Sequence, residues 1–257
     1  MTSRSRPARR GTPPVADITQ AVREHLFAEK ERIAARSRVR QFVFGSLDGL
    51  LVPLGVVSGV AGGTGNLHAV IVAGLAEAFA GALSMGAGEY LSGTSETQVQ
   101  RYEIERERQE IERNPETERR EIAELFEREG ISAEGANTIA KIVTASKESW
   151  IKTMAEKELG LSVDAPTNEG LDALYMGVSY LIASVVPLLP YFLLPIKTAF
   201  GVSLIATIIA LVLIGWIKGT LARLNIFRSA IEVVVIGTIS GLGGYFLGTV
   251  LPTLLGK

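Results

Sequence analysis

The sequence predicts an all-α membrane protein, with five transmembrane helices and a charged insert of three helices between the second and third. Three observations carry that reading. Five segments, at 42–62, 69–92, 171–194, 196–217 and 230–255, stay mainly apolar over the ~20 residues a helix needs to cross a bilayer. Charge is segregated: seven charged residues fall between Gly170 and Lys257, whereas 94–169 is dense in Glu, Arg and Lys. The second and fifth segments are rich in Gly and Ala, which membrane helices use for close packing. The mean hydrophobic content of 47% hides this division.

The elements follow in order. Residues 1–41 form a basic tail and a helix over 16–41, with Asp17 at its start and Gln20 three residues on, a capping pattern. Ile18, Val22, Leu26 and Ile33 share one face of it. A basic amphipathic helix of this kind lies on the inner membrane surface or packs on the insert. No secretory signal is expected, because this region has no apolar core. Residues 42–92 hold the first two spans. In the second, Gly74, Ala78, Ala82 and Gly86 repeat at i+4. Residues 93–169 hold the insert. Its first helix continues the second span to Asn114, and Pro115 opens another, being well placed in a first turn. A third helix runs from Ser132 to about Leu159, with a break expected near Lys147. Ile139, Ile142, Val143, Trp150, Ile151 and Met154 supply a small core. Residues 170–257 hold the last three spans, and Pro187 and Pro190 predict a kink in the third.

Basic residues set the orientation. Ten Lys and Arg precede the first span, and the turn 63–68 has none. The insert carries many. The turn after the third span has only Lys197, and the turn after the fourth has Lys218, Arg223 and Arg228. The N-terminus and the insert therefore face the cytosol, and the C-terminus lies outside or in a lumen. The chain has no Cys, which excludes disulfides and thiolate metal sites. A net charge of −1 gives no field for nucleic acid.

Two acids lie deep inside the first two spans: Asp48 in the first and Glu77 in the second. A carboxylate at such depth costs several kcal/mol unless paired, protonated or hydrated. Neither span holds a Lys or Arg to pair with them. A shared polar cavity for a cation or protons is the economical reading. Asp48 could instead be hydrated near the inner interface. Glu77, Gly81, Met85 and Glu89 follow one another at i+4, a single stripe down the helix. Carboxylates with a thioether suit a borderline ion such as Fe²⁺ better than Mg²⁺ or Ca²⁺.

The insert offers a second group. Glu107 and Glu110 stand at i, i+3, Glu118 and Glu121 repeat that spacing after the Asn114–Pro115 turn, and Met154 and Glu158 stand at i, i+4. Each pair faces one way. Converging, they would need cations. The same pattern also suits a solvated, salt-bridged surface. A di-iron oxidase is not expected, because its Glu-x-x-His pairs are missing; the two His residues are His25 and His68.

The text DGLLVPLGVVSGVAGG at 48–63, EAFAGALSMGAGEYLS at 77–92, RERQEIERNPETERREIAELFEREGIS and MAEKELGL resembles the vacuolar iron transporter family of divalent metal transporters. The resemblance runs from Val39 to the C-terminus. It implies a homodimer packed on its first helices, which would bring two Asp48 residues to one axis, and a cytosolic metal-binding domain in the insert. It implies a transporter, not an enzyme. The cargo would be Fe²⁺, with Mn²⁺ or Zn²⁺ as related ions and no further cofactor, moved out of the cytosol against protons. Asp48, Glu77, Met85 and Glu89 would form the membrane pathway. Glu107, Glu110, Glu118, Glu121, Met154 and Glu158 would be ligands in the insert. Two departures stand out: Ala155, where the family can have a second Met, and Pro53, where small polar residues are usual. Two rival readings are a Mn²⁺-dedicated exporter and a membrane-anchored metal buffer or sensor. The compact chain and short loops favour a prokaryotic plasma membrane, with a vacuolar membrane as the alternative.

Overall fold

A computed structural model describes residues 15–161, 168–221 and 226–254. The tail 1–14 and the side chains of Ile18, Val22, Leu26 and Ile33 lie outside the described residues. Eight α-helices are described: α1 (Val15–Thr64), α2 (Leu67–Arg113), α3 (Pro115–Arg128), α4 (Ala133–Val143), α5 (Lys147–Lys157), α6 (Glu169–Leu193), α7 (Ile196–Leu221) and α8 (Ile226–Leu254). Five have stretches long and apolar enough to cross a membrane, namely α1 from Val39, the first part of α2, α6, α7 and α8.

Two helices are longer than their spans. α1 runs unbroken for 50 residues, where the sequence suggests a separate helix before the span. Such continuity supplies no turn into the membrane plane. α2 has 47 residues and so extends about 70 Å, more than twice the ~30 Å hydrocarbon core. Its apolar part ends near Ser92, and the remainder carries the first acids of the insert.

α1 is the hub of the bundle and packs on α2, α6, α7 and α8. Glycine makes these approaches possible. A Cβ on Gly49 would lie 2.3 Å from the Tyr180 carbonyl oxygen of α6, and one on Gly244 would lie 2.3 Å from the Gly55 carbonyl of α1. Any larger residue would force the backbones apart. The small-residue face of α2 is buried at Gly74, Ala78 and Ala82. α6 stays helical through Pro187 and Pro190, and Ser203 Oγ of α7 donates to the Pro187 carbonyl at 2.7 Å.

The insert turns at Asn114, with Pro115 in the first turn of α3. Its last part is two helices, separated just before Lys147, where the sequence suggests a break. Ser132 caps α4 by accepting from Gly135 N, and Ser146 caps α5 by accepting from Ser149 N. That second cap resets the helix, so the apolar face does not continue across 144–146. The core is Ile111, Ile122, Ala123, Ala136, Ala140, Trp150, Ile151 and Met154. Ile142, expected in it, is 69% exposed. From α4 the small Ala136 and Ala140 pack inward, with Val143 partly buried against the same core. Thr97 Oγ1 of α2 donates to Glu169 Oε1 of α6 at 2.7 Å, joining the exit of the second span to the entry of the third.

Candidate functional site

The membrane acids sit where α1, α2 and α6 meet. Glu77 Oε1 accepts a hydrogen bond from the Tyr180 hydroxyl of α6. Its other oxygen is buried and has no partner among the described residues. Gly81, one turn further along α2, is the reason the ring fits: a Cβ there would stand 2.3 Å from the Tyr180 oxygen. The gap in the acidic stripe is thus filled by an aromatic from another helix. Asp48 is half-buried, lies on α1 just before Gly49, and is near enough to interact electrostatically with the Tyr180 hydroxyl.

Three turns nearer the insert, Glu89 Oε1 accepts from Gln41 Nε2 of α1. Gln41 is 3% exposed, and its own carbonyl oxygen is buried without a partner among the described residues. Met85 lies half-buried between the two carboxylates of the stripe. Gln41 and Asp48 are seven residues apart, two turns of one α1 face. α1 and α2 are antiparallel, so Gln41 meets Glu89 at the end nearer the insert while Asp48 lies towards Glu77. Two polar oxygens, one on Glu77 and one on Gln41, remain available inside the bundle.

In the insert, Glu107 of α2, Glu118 of α3 and Glu158 at the end of α5 each bring one carboxylate oxygen within 4.8 Å of the others. The turn at Asn114 folds α3 back against α2, and the C-terminus of α5 closes the third side. Glu107 is 1% exposed and Glu118 is 6% exposed. Burial, then the charges of Glu158, Glu118, Glu110 and Glu121, push the Glu107 carboxyl up to about 7. Glu118 is raised by burial and then by Glu121, Glu110 and Glu158, and it shares a hydrogen bond with Glu107. Glu158 is raised by burial and by Glu121 and Glu110, with Arg106 opposing. Glu110 and Glu121 therefore surround the trio without joining its closest contact; Glu110 also pairs with Arg106 at 3.7 Å. Met154 is fully buried one turn before Glu158. Ala155 is fully buried too and presents only a methyl group.

Carboxylates this close repel unless protons or a cation neutralise them. Buried oxygens from three helices, with a thioether beside them, make a donor set that can hold a divalent ion. Outside this cluster the insert is the salt-bridged surface its composition suggests, with pairs such as Arg119–Glu116 at 2.9 Å and Lys157–Glu129 at 2.6 Å.

Two residues of the membrane group escape a reading by spacing. Tyr180 and Gln41 lie on different helices from the stripe, and nothing in a period of 3.6 connects them to it. Gly81 was the available signal: a glycine at the centre of a functional face makes room for something.

Residues 39–249 match the VIT family. The chain is 31% identical to "Vacuolar iron transporter 1" of Tulipa gesneriana, covering 95% of this chain and 98% of the tulip protein. It is 33% identical to "Vacuolar iron transporter 1" of Oryza sativa subsp. japonica over 95% of this chain and 96% of that protein. It is 30% identical to "Vacuolar iron transporter" of Plasmodium falciparum over 84% of this chain and 83% of that protein. These names correct one expectation. They are vacuolar proteins of plants and of Plasmodium, so the prokaryotic plasma membrane is withdrawn. The physical reason is simple: basic residues report which side faces the cytosol, and a plasma membrane and a vacuole present the same cytosolic side.

Proposed function

The chain belongs to the VIT family, and from that premise we propose that it carries Fe²⁺ out of the cytosol across a vacuolar membrane in exchange for protons. The observation that carries this reading is Glu77: a carboxylate inside a span, held through one oxygen by Tyr180 and left with a second buried oxygen unpaired. An anchor gains nothing from such a group, which costs several kcal/mol at that depth. A transport path needs it, because an ion shedding water must find oxygens to replace that water.

The insert is the collecting site on the cytosolic side. Glu107, Glu118 and Glu158 hold the arriving ion, with Glu110, Glu121 and Met154 around it. Because Glu107 is protonated up to about neutral pH, binding there releases a proton. The ion then passes Glu89 and Gln41 at the inner mouth, Met85, and the Glu77–Asp48 level. Protonation of these carboxylates from the far side expels the ion and returns protons to the cytosol. A homodimer on α1 would double the acids on the path. Mn²⁺ shares the ligand preferences of Fe²⁺ and is a second cargo.

A buffer or sensor reading has one observation in its favour: the insert cluster is the most compact carboxylate group among the described residues. Uptake by proteoliposomes separates the two. Anaerobic Fe²⁺ is added on the insert side, with Glu77→Gln as the comparison. A transporter accumulates metal inside and Glu77→Gln stops it; a buffer binds metal on the outside in both proteins.

A further inference from the structure

The outer half of the bundle poses a question that the acids do not answer. No Asp, Glu, Lys, Arg or His occurs at 49–62, 185–196 or 198–217. Any proton passing between the Glu77 level and the outer face must cross this region. Three hydroxyls are buried there without a partner among the described residues: Ser58 Oγ on α1, Tyr191 OH on α6 and Thr207 Oγ1 on α7. Ser58 and Thr207 are fully buried and Tyr191 is 1% exposed.

Such groups are rare, and each needs an explanation. A helical Ser or Thr ordinarily bonds a carbonyl of its own preceding turn. Ser184, Thr238 and Thr249 do so here, to Leu181, Val234 and Tyr245. Ser58 and Thr207 do not. Prolines add acceptors at the same depth. Pro187 and Pro190 lack an N–H, so the carbonyls of Ala183 and Val186 lose their helical donors.

The helices bring these groups to one seam. Tyr191 packs in one buried cluster with Val57 and Ala199, and Ser58 follows Val57. Ser203 is one turn from Ala199 and donates to the Pro187 carbonyl, itself one turn from Tyr191. Thr207 is the next turn of the same α7 face. Leu54, one turn inward from Ser58, and Leu204 of α7 both border Gly241 of α8. Donors without acceptors and carbonyls without helical donors therefore lie on three helices, α1, α6 and α7, that pack against one another. Water satisfies both kinds of group at once, and a buried water needs two to four polar partners.

We propose that internal water fills this seam and carries protons between the Glu77–Tyr180 pair and the outer face, along Ser58, Tyr191, Ser203 and Thr207. A divalent ion does not take this route: neutral hydroxyls without a carboxylate do not repay its dehydration. The seam thus gives protons a path inside each chain. The proton-carrying part rests on the proton exchange proposed above.

Radiolytic hydroxyl-radical footprinting of the full chain in lipid vesicles tests the water directly, since radicals form where water is bound. Tyr191 is expected to gain oxygen despite its burial, and the Ser58→Ala, Thr207→Val double variant is expected to reduce that labelling several-fold. An unlabelled Tyr191, with exposed Tyr102 labelled as a control, overturns the hydrated seam. So does labelling that the double variant leaves unchanged. A second measurement follows Fe²⁺-driven proton flux in Tyr191→Phe, with Fe²⁺ binding to the insert measured alongside as evidence of folding. Flux several-fold below the unsubstituted protein with binding intact is expected; equal flux overturns the proton route. If the unsubstituted protein moves Fe²⁺ without protons, the exchange reading fails and the proton route with it, while footprinting still decides the water.

Discussion

The Tyr180 hydroxyl of α6 donates to Glu77 of α2 through the gap left by Gly81. The contact joins the second and third spans and fixes one oxygen of the buried carboxylate. It leaves the other oxygen facing the bundle interior. A ligand with one oxygen anchored and one free is held in position for an ion.

Tyr180→Phe removes the anchor and keeps the ring. A hydrogen bond to a charged group is worth ~1.5–3 kcal/mol, so Fe²⁺ uptake is expected to fall by roughly tenfold to a hundredfold. Initial rates in proteoliposomes measure it. An unchanged rate would remove Tyr180 from the path.

Gly81→Val tests the same contact from the other side. Its Cβ would sit 2.3 Å from the Tyr180 oxygen, so the ring must leave Glu77 or α2 and α6 must separate. Uptake is expected to fall at least as far as in Tyr180→Phe. A thermal melt in detergent is expected to show a loss of stability that Tyr180→Phe does not share.

Glu107 gives the insert a pH dependence of known sign. Its carboxyl is raised from 4.5 to about 7, so between those values the folded state binds more protons than the unfolded one. Stability without metal is therefore greatest below about 4.5 and declines as pH rises through about 7. Saturating Mn²⁺, a redox-stable ion, is expected to cancel the decline, and Glu107→Gln to flatten it. Melting curves between roughly pH 5 and 8 provide the check. A stability that rises with pH in the metal-free protein would contradict the assignment.

Gln41 is expected to matter at the inner mouth. Gln41→Leu leaves Glu89 without its donor and removes a buried carbonyl oxygen. Uptake should fall while metal binding to the insert, read by calorimetry, stays unchanged. A parallel loss of both would mean that the substitution unfolds the chain.

Much of the architecture was legible because membrane helices announce themselves by length and apolarity. The stretches near 42–62 and 171–194 need no partner to be recognised, and Pro115 and Ser132 mark their helix starts by local chemistry. The carboxylate trio of the insert was legible for a similar reason: Glu107 and Glu118 flank a tight turn, so spacing and topology nearly coincide. Tyr180, Gln41 and Ile142 were not legible. Tyr180 and Gln41 act across helix pairs, and their partners are set by how glycines let α1, α2 and α6 approach. Ile142 depends on which face of α4 packs inward, and that face is the one with Ala136, Ala140 and Val143. The membrane itself was misread, since nothing in an in–out charge pattern names the compartment.

The central claim is that metal crosses the bilayer along Asp48 and Glu77 in exchange for protons. The direct measurement uses proteoliposomes with an interior pH probe, with anaerobic Fe²⁺ added at the face that exposes the insert. Metal entry accompanied by opposite proton movement, and abolished in Asp48→Ala with the protein still folded, is the expected result. Metal that binds the outer surface and never enters, or enters at full rate in Asp48→Ala, would contradict it.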